Sequence, residues 1–228
     1  MSWTFHSNTK RDDFTFAATI AAGATRSVAF NSGTFAVGDL LALQLSSGGV
    51  LSFNITDDQG NVWNEVVAGG LDRGDGYHLG LWWAIATTAG QPTVNMHNTG
   101  GSPTSFYMSQ LCSWTPPNPS TEVVDTVNAV NGTGTAAISP VVTNGADELM
   151  IGFGLDTVGY PSGSHTGSTT TASFGTTFPM QYRNEAVAGT YNVGVDLGGS
   201  RPYGCIGISF SAPAPPAGTS HAVVCIMN

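Results

Sequence analysis

Charged residues make up only 9% of this 228-residue sequence, against roughly a quarter in ordinary soluble domains, and lysine occurs once, as Lys10. The exterior must therefore be written in Ser, Thr, Asn and Gly. The other basic residues, Arg11, Arg26, Arg73, Arg183 and Arg201, are scattered, so no basic stripe follows a phosphate backbone and nucleic acid is not an expected partner. A net charge of −9 likewise gives no polybasic attraction to an anionic membrane. No apolar run approaches the roughly 20 residues of a membrane helix, and the opening "MSWTFHSNTKRDDF" has neither an apolar h-region nor a small-residue cleavage site. Synthesis in a cytoplasm without secretion is the expectation.

Metal and redox signatures are also thin. The five histidines, His6, His78, His97, His165 and His221, stand alone, with no pair at ligand spacing and no cysteine companion. Cys112, Cys205 and Cys225 are an odd number without a CxxC; the plain reading is buried thiols, with a disulfide left open. No cofactor is expected. Helical periodicity is missing too, because 30 glycines and 12 prolines interrupt every window long enough to carry it.

Short alternating stretches fill the space instead. They predict strands near Phe14–Ile20, Arg26–Phe30, Leu40–Leu45, Leu51–Thr56, Trp63–Val67, His78–Ile85, Pro92–His97 and Ser105–Trp114. A second set falls near Val123–Val130, Ala136–Ser139, Glu148–Leu155, Phe178–Glu185, Tyr191–Asp196 and Gly204–Phe210. The two sets echo one another. "VGDLLALQL" from Val37 and "GADELMIGFG" from Gly145 align Asp39 with Asp147, which sets Leu41, Leu43 and Leu45 against Leu149, Ile151 and Phe153. "GATRSV" echoes "TGTAAI", "TTAGQPTVNM" echoes "AVAGTYNVGV", and Ser113-Trp114 echoes Ser209-Phe210, always in the same order.

Each half is then an antiparallel unit with one apolar face, and that face is most simply buried against its copy. The expected fold is all-β: an antiparallel β-sandwich, jelly-roll-like, built from two pseudo-repeated halves at about 14–114 and 123–211 within one domain, 14–211. Residues 1–13, with Trp3 and Phe5, read as an N-terminal arm that docks on something. Residues 212–228 read as a Pro-rich spacer and a C-terminal strand, "HAVVCIMN", whose Val223, Val224 and Ile226 suit a neighbour's exposed edge.

Local motifs mostly read as turns. "TDDQGNVW" has hairpin chemistry at Asp57 and Gly60 but not the ligand spacing of a calcium loop. "LDRGDGYHLG" embeds Arg73-Gly74-Asp75, an adhesion tripeptide in some proteins and a common chance match. "LWWAI" sends Trp82 and Trp83 to opposite faces, so one fills a core and the other, with Tyr77 and Tyr107, could offer rings to a glycan or a partner. The loop Gly159–Thr177 sets serines beside His165 without a nucleophile elbow or an orienting acid, so enzymatic activity is not expected.

The succession "VGDLLALQL", "TDDQGNVW", "WWAIATTAG", "PTVNM", "GADELMIGFG", "AGTYNVGV" resembles a β-sandwich pattern of structural proteins from tailed bacteriophages and prophages, over about Val37 to Phe210. The resemblance implies a virion location and work done by protein–protein contacts, as a capsid decoration or cement subunit or a head- or tail-associated accessory. The implied partners are further copies of the chain, with trimers suited to the threefold positions of a capsid lattice, and other virion proteins such as the major capsid protein. A glycan-binding module for host-surface recognition is the alternative, and a polysaccharide hydrolase a more distant one.

Overall fold

Strand side chains alternate, so a strand apolar on both faces needs cover on both. "LLALQL" is such a strand: Leu40 and Ala42 face one way, Leu41, Leu43 and Leu45 the other, and all five are buried. The fold meets that demand with stacked β layers. In a computed structural model, the residues described are 3–6, 11–13, 18–29, 35–49, 51–117, 123–145, 147–156 and 180–211. Among them every regular element is a strand: β1 (Thr4–Phe5), β2 (Arg11–Asp13), β3 (Ala18–Ile20), β4 (Thr25–Ala29), β5 (Leu40–Gly48), β6 (Phe53–Asp57), β7 (Asn64–Glu65), β8 (Leu71–Asp72), β9 (Tyr77–Ile85), β10 (Thr93–Asn98), β11 (Thr104–Thr115), β12 (Val123–Thr143), β13 (Glu148–Asp156), β14 (Met180–Glu185) and β15 (Gly189–Ser211).

All pairing is antiparallel. One sheet runs β1-β11-β5-β9-β7, with β2 and β3 also on β11 and β8 on β9. Its outer face is covered by a three-stranded sheet, β4-β10-β6, and Val28, Phe53, Ile55, Val94 and Met96 meet Leu41, Leu43, Leu45, Trp82 and Leu111 there. Its inner face meets the sheet β12-β15-β13-β14 over a central core of Leu40, Ala42, Leu81, Cys112 and Trp114 against Leu149, Ile151, Phe153, Ile208 and Phe210. The all-β sandwich read from the alternation is thus the architecture of the chain.

Two expected strand pairs are continuous instead. β12 and β15 form one long ladder whose register shifts between Gly134 and Ala136, leaving Leu197 to Ser200 outside the pairing. Beyond that irregularity the ribbon lies back over its own sheet: Asn128 Nδ2 donates to the Pro140 carbonyl at 2.8 Å and the Ser209 hydroxyl to the Val142 carbonyl at 3.0 Å. Glycine permits this approach. A Cβ on Gly152 would sit 2.6 Å from Val193 Cβ, and one on Gly207 would sit 2.5 Å from Val141 Cγ2. Side chains at those positions would hold the layers apart.

The aligned aspartates turn out not to be equivalent. Leu40 pairs with Trp114 and Ile85, Leu149 pairs with Phe210 and Asn184, and Leu40 and Leu149 both face the central core. The sequence alignment set Leu41 on Leu149, two residues that face different layers. A one-residue slip exchanges the faces: Leu41, Leu43 and Leu45 lie under the three-stranded sheet, whereas Leu149, Ile151 and Phe153 lie in the central core.

Candidate functional site

The rings offered by the sequence for contact are placed mainly inside. Trp82 is 2% exposed and lies beneath the three-stranded sheet, with its ring over Gly80. Trp83 is half-buried and packs edge-on to Phe210, ring centroids 5.5 Å apart, against the central core. Trp82 is thus the inner ring, and Trp83, on the opposite face of β9, is partly covered by the central core. Tyr77 is half-buried under the Arg73 guanidinium, 4.7 Å from its ring centroid. Tyr107 lies in β11 at its register shift, and its side chain is outside the described residues. Val223, Val224, Ile226, Cys225 and the Gly159–Thr177 loop also lie outside them.

Trp3 and Phe5 find their partners within the chain. Trp3 is 2% exposed, donates from Nε1 to the Asp147 carbonyl at 3.0 Å, and accepts at its carbonyl from Asn184 Nδ2 at 3.0 Å. Phe5 pairs with Trp114 and stacks on Tyr182 at 5.1 Å. These residues, expected as an arm reaching outward, thus tie the start of β11's sheet to the sheet of β13 and β14.

The tripeptide Arg73-Gly74-Asp75 is closed on itself. Arg73 Nε and Nη2 hold the two Asp75 oxygens at 2.9 and 2.6 Å, and Arg73 is 4% exposed. Burial alone would raise the Asp75 carboxyl, but hydrogen bonds and charge from Arg73 bring it below the usual range. A guanidinium so engaged is not offered to a receptor. The hairpin at Asp57 is as read: the Gln59 and Asn61 amides donate to Oδ1, Asn61 Nδ2 and Trp63 Nε1 donate to Oδ2, and Gly60 has φ +74°.

The polar chemistry that the sequence did not single out sits at the starts of β5 and β13. Asp39, 1% exposed, accepts the Ala36 amide at 2.9 Å and the Thr115 hydroxyl at 2.6 Å. His6 Nε2 lies 2.6 Å from Thr115 Oγ1 and 3.6 Å from Asp39 Oδ2. Since Thr115 gives its one proton to Asp39, its oxygen accepts from His6 rather than being deprotonated by it. The trio pins β1 to the sheet instead of arming a nucleophile.

At the second corner Glu148 is fully buried and accepts the Gly145 amide, while Asp125 accepts the Asn144 amide at 2.9 Å and Asn144 Nδ2 at 2.7 Å. Burial, together with the neighbouring Asp125, raises the Glu148 carboxyl, with the Gly145 and Asn144 amides opposing. Asp125 moves the other way: its own burial is outweighed by hydrogen bonds from Asn144 and Glu148. The two neighbouring carboxyls are thus driven in opposite directions. The sequence signal was present only as an aspartate before each apolar strand. Elsewhere, Cys112 and Cys205 are buried thiols, and among the described residues no cluster of three His, Cys, Asp or Glu could hold a metal ion.

No family model, no curated protein and no solved structure matches this chain.

Proposed function

We propose that this chain is a structural subunit of a tailed-phage or prophage particle, a capsid decoration or cement protein or a head- or tail-associated accessory, acting by protein–protein contact. One observation carries the reading: Trp3 and Trp82 are buried and Phe5 and Trp83 half-buried where layers join, which leaves a largely polar, nearly lysine-free exterior. Such a surface suits broad, repeated contacts with identical neighbours, where many weak polar contacts sum. The same observation weakens the glycan alternative, because an aromatic platform for a sugar face needs an uncovered ring. The resemblance of its strand succession to virion sandwiches supports the setting.

The test is proteomic. Particles purified by density gradient from an induced lysate of the source strain are expected to contain the chain at a fixed ratio to the major capsid protein. Its presence only in the soluble fraction, with binding on a glycan array that Tyr77→Ala abolishes, would replace this reading with the glycan module.

A further inference from the structure

We infer that the central core is an internalised two-fold interface, in which two copies of one β unit within the chain present to each other the surface that a second copy of that unit fits. The inference stands apart from any particle. Its first support is pairing. Once Leu40 is set on Leu149, neighbours correspond across the β9-β5-β11 and β14-β13-β15 ladders as far as the register shift of β11 at Phe106 and Met108, which β15 lacks: Ala42 pairs with Trp83 and Cys112, and Ile151 with Tyr182 and Ile208.

Backbone conformation agrees independently. Gly38 has φ +93°, and Asp147, in the corresponding position, has φ +60° as the one described non-glycine residue in that region. The next residue in each half, Asp39 or Glu148, is buried and accepts the amide three residues before it. Edge strands correspond as well. Phe5 lies beside Trp114 and Val124 beside Phe210, which puts His6 opposite Asp39 in one half and Asp125 opposite Glu148 in the other.

The contacts between halves give the symmetry. A two-fold interface is isologous: if residue i touches residue j, the copy of j touches the copy of i. Trp83 corresponds to Tyr182, and Trp114 to Phe210. Trp83 meets Phe210 at 5.5 Å and 74°, and Trp114 meets Tyr182 at 5.6 Å and 71°. One contact is the other after exchange of halves. Stacking by translation would pair Trp83 with a different neighbour than Tyr182's, so the match in partner, distance and angle selects a rotation.

Exchange of corresponding side chains in the full-length chain tests this. The variant Trp83→Tyr, Tyr182→Trp, Trp114→Phe, Phe210→Trp turns the ring set about the axis and keeps both contact pairs. It is expected to melt within about 2 °C of the parent, whereas exchanging only Trp83 and Tyr182 makes one Trp–Trp and one Tyr–Phe pair and lowers the midpoint by about 2–10 °C through over- and underpacking. A four-site variant no more stable than the two-site one overturns the inference. Should the four-site variant not fold, Cys112→Ile with Ile208→Cys decides: a double variant closer to the parent than either single one supports the axis, and additive losses overturn it.

Discussion

Asp147 holds a backbone angle that L residues adopt at a cost, and the corresponding position in the first half is a glycine. Asp147→Gly is therefore expected to be neutral or stabilising by up to about 1 kcal/mol, while Gly38→Ala costs about 1 kcal/mol, both read by denaturant titration. Its neighbour Glu148 sets a pH dependence. A carboxyl raised above its ordinary 4.5 binds its proton more tightly in the folded chain, so its contribution is whole below that value and is lost as pH rises through the elevated one. Asp125, lowered from 3.8, contributes above that value and loses its share as pH falls through the depressed one. Glu148→Gln keeps a donor toward Asp125 without the titration, and is expected to remove the decline in stability above pH 4.5. An unchanged slope in melting temperature against pH would show that the decline originates elsewhere.

Among elements, the ribbon of β12 and β15 was the least legible. The sequence marked four short strands there, while the ladder is continuous through Gly132 and Gly134 and only shifts register, leaving Gly198 and Gly199 unpaired inside β15. Face assignment failed for a related reason. In β13 the outer face is Met150, Gly152 and Gly154, since the ribbon rests almost on the backbone, so only the inward face is fully apolar. Matching aspartate to aspartate then set an outward row on an inward one. Chain type, strand positions and the Asp57 hairpin were readable because each is local; the rings' burial was not, since it depends on layers far apart in sequence. Gly152→Ala and Gly207→Ala are expected to cost about 1–3 kcal/mol each by forcing the ribbon outward, while Gly101→Ala, with nothing near its Cβ, stays within about 0.5 kcal/mol.

For the molecule as a whole, Cys205 reports on the layer beneath the outer ribbon, where it packs with Ala137 and Leu197. Burial pushes its thiol up to about 12, far from the thiolate needed for attack. Alkylation at Cys205, followed by peptide mass, is expected to wait for global unfolding and to speed up with denaturant at the full unfolding slope. Labelling in native buffer at a rate independent of denaturant would mean that the outer ribbon lifts by itself. The shared floor between the halves has one more outcome. The first half keeps an interior of its own beneath the three-stranded sheet, but both halves bury their other faces in the central core, so calorimetry is expected to record one peak whose area and sharpness describe a single cooperative body.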